Sequence, residues 1–382
     1  MPITQEEADE LVRAARAANA SRQLNGMADF VSPLVVRVGI VGAASIAKKN
    51  ARAIRRSERC SLVAVASRSL AKAEAWVAEL GFGASCRCVE GYEHLLAAAD
   101  VDAVYVPLPT SLHLDFVVKT AAAGKHVLVE KPVGRTAAEV RAMVDACRAA
   151  GVALLDGTMF VHHARFEQMD RLFADEQFWA PTRVSSAFTF WGDEAARARV
   201  GWYCIRYGLA AFRHERPTAA RAVARADREG VPTDMDVEVH FGEDGRRVLT
   251  FHCSFRHHLR QWVEACSATG RRVTCDDFVI PRREERCEYR IEEIPDEQMS
   301  EYDTIVRGCV TDVPVLNCCQ EVRMWDAFAA LVAQGKNRTD HYDRAMLLAH
   351  AIMDAAMASA RSGGSVVAIP AATLRYAMRP AA

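Results

Sequence analysis

The sequence predicts two domains, a doubly wound α/β domain followed by an α+β domain with a large, mostly antiparallel, open-faced sheet. The chain has 382 residues, and at roughly 100–200 residues per domain this length favours two domains. Short apolar runs alternate with helical segments in the first half, which is typical of βαβ units. Beyond residue 182 the strand-like segments alternate in polarity, as in a sheet with one exposed face. We place an N-terminal helical arm at 1–33, the first domain at 34–157 and the second at 158–382.

Charge and composition exclude several classes of protein. The chain has 48 Lys+Arg against 49 Asp+Glu and a formal charge of −1. This balance argues against a nucleic-acid or membrane-surface partner, each of which needs clustered cations. No apolar run approaches the roughly 18 residues needed to cross a bilayer, and the N-terminus lacks an apolar signal core, so we expect a cytoplasmic protein.

The cysteines and histidines give no expectation of a metal site. Twelve cysteines are scattered along the chain without the paired spacing of a zinc site, so we expect reduced thiols. His257 and His258 are adjacent in a predicted strand, where neighbouring side chains point to opposite faces. We therefore do not expect these two rings to chelate one ion together.

The elements of the first domain follow one another in a regular order. A capping box of Thr4 and Glu7 opens an amphipathic helix expected at 4–20. The apolar run at 34–41, rich in β-branched residues, predicts a buried strand that ends at Gly42. Further strands are expected at 61–66, 103–106, 126–129 and 152–155, and helices at 46–56, 70–80, 112–123 and 136–150. This alternation predicts a parallel sheet that is covered on both faces.

The second domain has a different pattern. Strands are expected at 182–189, 233–240, 247–256, 271–280 and 288–294, and helices at 317–334 and 342–361. Gly363 and Gly364 end the second helix. Because a one-sided sheet leaves a large face uncovered, we expect a homo-oligomer, either a dimer or a tetramer.

The turn after the first strand resembles a phosphate-binding turn. Gly42 suits the tight turn, and Ala47 suits the position where the helix packs on the strand, while Ala44 puts a methyl group where a second glycine is usual. We therefore expect Gly42, Ala44, Ser45 and Ile46 to contact the pyrophosphate of a dinucleotide.

The end of the second strand bears on the choice of cofactor. It carries Ser67 and Arg68, and no acidic residue occurs at 65–69. A carboxylate here would bind the ribose hydroxyls of NAD, whereas a hydroxyl and a guanidinium can hold the 2′-phosphate of NADP. The sequence thus favours NADP, with NAD as a possible cofactor. The alternative is that Arg68 is a solvated surface charge.

Several segments resemble one protein family. GKHVLVEKP at 124–132 is similar to a signature of the glucose-fructose oxidoreductase/inositol dehydrogenase/MocA (Gfo/Idh/MocA) family. VPLPTSLH at 106–113 and GTMFVHH at 157–163 resemble its crossover loop and domain junction. GWYCIR at 201–206 is closest to the dihydrodiol and D-xylose dehydrogenase branch. Residues 253–255, 320–325 and 359–364 also fit.

The resemblance implies a Rossmann domain that binds NAD(P), followed by a substrate domain. It further implies an NADP-dependent oxidoreductase that transfers a hydride between a nicotinamide and a sugar, polyol or trans-dihydrodiol-like substrate. Lys131 and Tyr203 would be the catalytic residues at the cleft between the domains, where a proton must leave or reach the reacting oxygen. A cis Lys131-Pro132 bond is implied too.

The same resemblance implies the remaining site residues. The cofactor-binding set then also includes Pro107, Leu108, Thr110, His113, Glu130 and Lys131. The substrate-binding set is Lys131, His162, His163, Arg199 and Tyr203. A structural role for the two histidines remains the alternative, because a histidine pair is more often part of a hydrogen-bonded framework.

Arg199 departs from the family pattern, which has an aspartate four residues before the tyrosine. In a helix this spacing puts Arg199 beside Tyr203, where a cation would favour the ionised phenol and replace a hydrogen-bond acceptor by a donor. Either the substrate preference is altered, or the chain is a catalytically silent NADP(H)-binding protein on the same scaffold. Elimination or hydrolysis with the cofactor recycled in place is a third alternative.

Overall fold

The computed structural model describes residues 35–177, 179–192, 201–228, 231–284, 286–293, 309–316, 319–335 and 340–371. The helical arm predicted at 1–33 lies outside these residues. The chain divides into two compact units, one of Met1–Thr158 with Glu321–Met346 and one of Met159–Gln320 with Leu347–Pro380. The first unit thus includes a segment from the C-terminal part of the chain. The two units are therefore not separated at a single point of the sequence.

A six-stranded parallel sheet forms the centre of the first unit, in the order β3-β2-β1-β4-β5-β6. This is the strand order of a dinucleotide-binding fold, so the predicted fold class is confirmed. The strands are β1 Val36–Val41, β2 Cys60–Ser67, β3 Arg87–Glu90, β4 Ala103–Val106, β5 His126–Val129 and β6 Leu154–Asp156. Strand β3 is not predicted from the sequence, because only Val89 of its four residues is buried.

Helices cover the sheet, and all but the short third helix lie at the predicted places. They are α1 Ser45–Arg56, α2 Leu70–Glu79, α3 Tyr92–Leu96, α4 His113–Ala122 and α5 Ala137–Ala150. The Thr136 hydroxyl caps α5 by accepting from the Glu139 N–H at 3.2 Å, and Gly151 ends that helix with a φ of +71°. All four residues of β4 are buried, which explains why this run shows no polar alternation.

The segment that returns to the first unit contains α8 Gln320–Ala333 and the start of α9 His341–Arg361. The indole N–H of Trp325 donates to Asn50 Oδ1 at 3.0 Å. The Ser57 hydroxyl donates to Asp326 Oδ1 at 2.6 Å. Since Asn50 and Trp325 are buried, this segment is part of the core of the unit.

The second unit is built on a nine-stranded sheet of order β14-β13-β12-β11-β7-β10-β9-β8-β15. Among the described strands of this second sheet, only the β7–β10 pair is parallel, so the prediction of a mostly antiparallel sheet is confirmed. The strands are β7 Pro181–Trp191, β8 Pro217–Arg228, β9 Val231–Phe241, β10 Arg247–Ser254, β11 Arg256–Ser267, β12 Arg272–Cys275, β13 Arg286–Glu293, β14 Cys309–Leu316 and β15 Val367–Ala368.

Several details of this sheet differ from the prediction, and strands β14 and β15 were not predicted. The strand expected at 247–256 ends at Ser254, and a separate strand, β11, follows it. The strand expected at 271–280 is shorter and stops at Cys275. β8 was missed because its alanines and arginines favour helices in isolation, and pairing with β9 overrides that preference.

Helix α7 Trp202–Ala211 packs on one face of this sheet, and helix α6 Ala164–Phe173 precedes it in the unit. A Cβ atom at Gly208 would lie 2.6 Å from Leu249 Cδ2, so a glycine is required for this close approach. No helix among the described residues is long and apolar enough to span a membrane.

The cysteines of the described residues are free thiols, as expected. Burial raises the pKa of both Cys60 and Cys86 to about 12. Because the thiolate is the reactive form, these two side chains are inert at neutral pH.

A buried ion pair joins α6 to the turn after β12. The Arg165 side chain is 1% exposed, and its Nη1 lies 2.5 Å from Asp277 Oδ1. Its Nη2 donates to the Asp277 backbone carbonyl. On the same helix, Arg171 is 74% exposed and pairs with Glu167.

We expect Arg165→Met to lower the free energy of unfolding by about 3–5 kcal/mol, because it leaves the Asp277 carboxylate without its buried partner. The matched variant Arg171→Met, which removes an exposed pair, should cost less than about 1 kcal/mol. Urea unfolding of both variants measures the difference. Equal losses would contradict a structural role specific to Arg165.

Candidate active site

The turn between β1 and α1 fits a phosphate group. Gly42 has a φ of +105°, and a Cβ there would lie 3.2 Å from Leu108 Cδ2. Ala44 is the N-cap of α1 and makes no side-chain capping bond, and the first turn has no acidic residue. The first N–H groups of such a helix are donors for an anion. Gly42, Ala44 and Ser45 therefore lie where the sequence predicts, and Ile46 is exposed beside them.

Ser67 and Arg68 lie at the end of β2, which neighbours β1 in the sheet. Ser67 is buried, and its hydroxyl accepts from the Ser69 N–H at 3.4 Å. The Arg68 side chain is exposed. Because the carboxyl ends of parallel strands share one edge, Arg68 lies on the same edge as the Gly42 turn.

The loop after β4 contains the next group of predicted residues. Pro107 is buried, whereas Leu108 and Thr110 are partly exposed. His113 is 1% exposed. Its Nδ1 lies 3.0 Å from the Val133 carbonyl and its Nε2 lies 2.7 Å from the Leu108 carbonyl. Burial lowers the pKa of His113. The His113 ring thus ties the loop to the segment after β5, and its contact with the cofactor stays a prediction.

Lys131 lies two residues after the end of β5 and is half-buried. The Lys131-Pro132 peptide bond is cis, as the resemblance implied. The side chain of the preceding Glu130 accepts from the Tyr105 hydroxyl at 2.5 Å and from the Lys131 N–H at 3.2 Å. Burial raises the pKa of Glu130, and the charge of Lys131 and the Tyr105 hydrogen bond oppose that increase. The Glu130 side chain thus holds the backbone of Lys131 in position, and its contact with the cofactor stays a prediction.

The hydrogen bonds to Glu130 continue through the core of the first unit. Asn50 donates to the Tyr105 hydroxyl at 2.8 Å, and Trp325 donates to Asn50. Every donor points toward Glu130, so the chain ends on a carboxylate that only accepts. A Cβ at Gly157 would lie 3.2 Å from Glu130 Oε1. The sequence analysis assigned no role to Asn50, Tyr105 or Trp325, although Trp325 belongs to a segment that fits the family.

In the second unit, Tyr203 lies in the first turn of α7 and is 8% exposed. Its ring centroid lies 4.9 Å from that of Phe188 and 6.0 Å from that of Phe160. These edge contacts fix the direction of the phenol ring.

The two adjacent histidines have different environments. His162 ends a short 3-10 helix and is partly exposed. His163 is fully buried and caps α6, since its Nδ1 accepts from the Arg165 N–H at 3.1 Å. Its Nε2 lies 3.4 Å from Cys287 Sγ. These contacts favour the structural alternative for His163, and its contact with a substrate stays a prediction. Arg199 lies outside the described residues.

A glycine turn into an uncapped helix, in a sheet of this strand order with a lysine after β5, defines a dinucleotide-binding oxidoreductase. A family model described as "Oxidoreductase family, NAD-binding Rossmann fold" matches residues 36–158. The chain belongs to this family, Gfo/Idh/MocA. It is an NAD(P)-dependent dehydrogenase or reductase.

Two relatives and one solved structure illustrate the similarity. The chain is 30% identical over 289 residues to dTDP-3,4-didehydro-2,6-dideoxy-alpha-D-glucose 3-reductase of Saccharopolyspora spinosa, covering 72% of this chain and 86% of the relative. It is 40% identical over 152 residues to D-xylose 1-dehydrogenase (NADP(+)) 2 of Haloferax volcanii, covering 40% and 46% of the two chains. The 3-ketoreductase KijD10 of Actinomadura kijaniata with NADP superposes with a TM-score of 0.70 at 25% identity, covering 86% of this chain and 97% of that one.

We expect Tyr105→Phe to lower the free energy of unfolding by about 1–3 kcal/mol, because buried Asn50 and Glu130 each lose a partner. The loss should be larger at pH 8 than at pH 5. The Tyr105 hydrogen bond lowers the pKa of Glu130, so without it the buried carboxyl keeps its proton to higher pH. When folding raises the pKa of a carboxyl group, the free energy of unfolding falls as the pH rises from the unfolded-state pKa to the folded-state pKa.

Urea unfolding at the two pH values measures this effect. Tyr92→Phe, at a partly exposed tyrosine of the same unit, serves as the control and should show no such pH dependence. In the double variant Tyr105→Phe/Glu130→Gln the extra loss at pH 8 should disappear. A Tyr105→Phe loss that is equal at both pH values would contradict the ionisation of Glu130.

Proposed function

We propose that the chain is an NADP-dependent oxidoreductase that interconverts a hydroxyl and a carbonyl group on a sugar, a polyol or a trans-dihydrodiol-like molecule. The observation that carries this proposal is Lys131, a half-buried cation that follows β5 at the edge of the sheet where the Gly42 turn lies. Both relatives above are named for reactions on sugars, which favours a sugar as the substrate.

The roles of the side chains follow from the chemistry of the reaction. When bound, NADP accepts or supplies the hydride at the reacting carbon. Lys131 donates a hydrogen bond to the oxygen on that carbon and stabilises the negative charge that develops there. Tyr203 takes the proton from this oxygen or returns it. His162, which is partly exposed, is proposed as a further substrate contact.

We expect Lys131→Met and Tyr203→Phe each to lower kcat by about 10²–10⁴-fold, the usual contribution of a positioned acid or base. Activity assays with NADP or NADPH and a panel of aldoses, ketosugars and dihydrodiols measure the effect through the change in nicotinamide absorbance. Tyr207→Phe, one turn further along α7, is the matched control and should keep kcat within about threefold. NADPH affinity should be retained in Tyr203→Phe.

Turnover that survives in the Lys131→Met/Tyr203→Phe double variant would refute this mechanism. The alternative of a silent scaffold makes a different prediction for the same assays. In that case the unmodified protein binds NADPH but turns over no compound of the panel, and Arg199→Asp gains activity.

We also propose that Arg68 selects NADP over NAD. A guanidinium at the end of β2 can pair with a 2′-phosphate, and the buried Ser67 hydroxyl beside it brings no negative charge to repel that phosphate. Arg59 precedes the opposite end of the same strand and is also exposed. It therefore gives a charge-matched control.

We expect Arg68→Ala to weaken NADPH binding by about 10–100-fold, the range for one charge-assisted hydrogen bond. NADH binding should change by less than about threefold, because NADH lacks the phosphate. Fluorescence titration of both nucleotides gives the ratio, and Arg59→Ala should leave it unaltered. If Arg68→Ala weakens both nucleotides equally, Arg68 is not the selecting residue.

We further propose a cytoplasmic homo-oligomer, a dimer or a tetramer, formed through the second unit. Val223 on β8 is 45% exposed and Trp191 at the end of β7 is 79% exposed. Association through such side chains would remove apolar surface from water, and a second copy is the usual partner for an exposed sheet face.

A further inference from the structure

Three metal-ligating side chains of the second unit converge at one end of the nine-stranded sheet. Asp234 lies on β9, His252 on β10 and His257 near the start of β11. Their ligand atoms all lie within 4.8 Å of one another. None of the three belongs to the residues proposed above for cofactor or substrate. We propose that Asp234, His252 and His257 form a binding site for a divalent transition-metal ion of the zinc type.

The distances fit one ion between the three groups. Asp234 Oδ2 lies 3.3 Å from His257 Nε2, and Asp234 Oδ1 lies 3.6 Å from His252 Nε2. Bonds of 2.0–2.2 Å at tetrahedral angles separate neighbouring ligand atoms by about 3.4 Å. One carboxylate oxygen and two imidazole nitrogens are also the ligands of borderline softness that zinc-type ions prefer.

A neighbouring carboxylate holds His252 in the orientation that a ligand needs. Asp236 is the cross-strand partner of His252, and its Oδ1 lies 2.7 Å from His252 Nδ1. Because a carboxylate can only accept, Nδ1 carries the proton, and in the neutral ring Nε2 presents its lone pair toward Asp234. Most metal-binding histidines are oriented by such an outer carboxylate.

The backbone brings His257 to the same place. In β11 the five residues from Arg256 to Arg260 lie opposite only three residues of β7, from Trp191 to Thr189. Such a bulge redirects the side chains within it. The Thr189 hydroxyl donates to the His258 carbonyl at 2.7 Å and so anchors the bulge. His257, rather than the adjacent His258, therefore joins the cluster.

The buried carboxylate of Asp234 is incompletely hydrogen-bonded and incompletely neutralised. It is 7% exposed, and within the described residues its buried Oδ1 has no hydrogen-bond partner. The Arg225 guanidinium, at 3.6 Å, is its other charged neighbour and pairs mainly with Asp236. Two carboxylates against one guanidinium leave a net negative charge, which a cation would neutralise. Three protein ligands leave a fourth position for water or a further ligand.

The test uses the whole chain, treated with a chelator and then dialysed. Zn²⁺ is titrated against a chromophoric indicator, and Co²⁺ is added separately to record its d–d absorption. We expect one Zn²⁺ per chain, a tetrahedral Co²⁺ spectrum and a higher Tm with Zn²⁺. His257→Gln should weaken Zn²⁺ binding at least about 100-fold, and Asp236→Asn about 10–100-fold through the loss of orientation.

His258→Gln is the matched control, since it removes an exposed histidine next to the cluster, and it should leave Zn²⁺ affinity unchanged. Because His257 is exposed too, its variant should fold, which retention of NADPH binding verifies. The proposal is overturned if the unmodified chain holds no more Zn²⁺ than the His252→Gln/His257→Gln double variant. It is also overturned if His258→Gln weakens binding as much as His257→Gln does.

Discussion

The buried carboxylate of Glu130 is the constraint on which much of the first unit depends. A charge inside a protein is tolerated only when hydrogen bonds replace its hydration. The Tyr105 hydroxyl and the Lys131 N–H provide them here, Asn50 supports Tyr105, and Trp325 supports Asn50. The glycine at 157 leaves room for the carboxylate. The backbone that carries Lys131 is therefore held by a network that reaches across the unit and into α8.

The sequence predicts what local patterns determine. Buried parallel strands such as β4 and β5 appear as short apolar runs, and the Gly42 turn is recognisable because a strand and a helix flank it. The Glu130 network is not predictable in this way, since Asn50 and Trp325 are 275 positions apart and no periodicity links them. Strand β8 is not predicted for a related reason, because its pairing partner and not its own composition determines its conformation.

Residue type alone also fails to separate binding groups from structural ones. His113 and His163 both occur in segments that resemble the family, yet both rings are buried and hold backbone groups in place. His162, adjacent to one of them, remains partly exposed. A sequence motif does not show whether a side chain hydrogen-bonds to a backbone carbonyl or to a helix N-terminus. One motif can therefore contain side chains that hold the backbone in position beside side chains that are partly exposed.

The return of residues 321–346 to the first unit affects the order in which this protein can mature during synthesis. The six strands of the parallel sheet are complete at Asp156. The hydrogen bonds of Asn50 to Trp325 and of Ser57 to Asp326 can form only after those two later residues have been synthesised. Contacts between such distant residues slow folding, and domains ordinarily fold as units while the chain emerges. Here the first unit can finish its core only after nearly the entire second unit has left the ribosome, so the two units mature together.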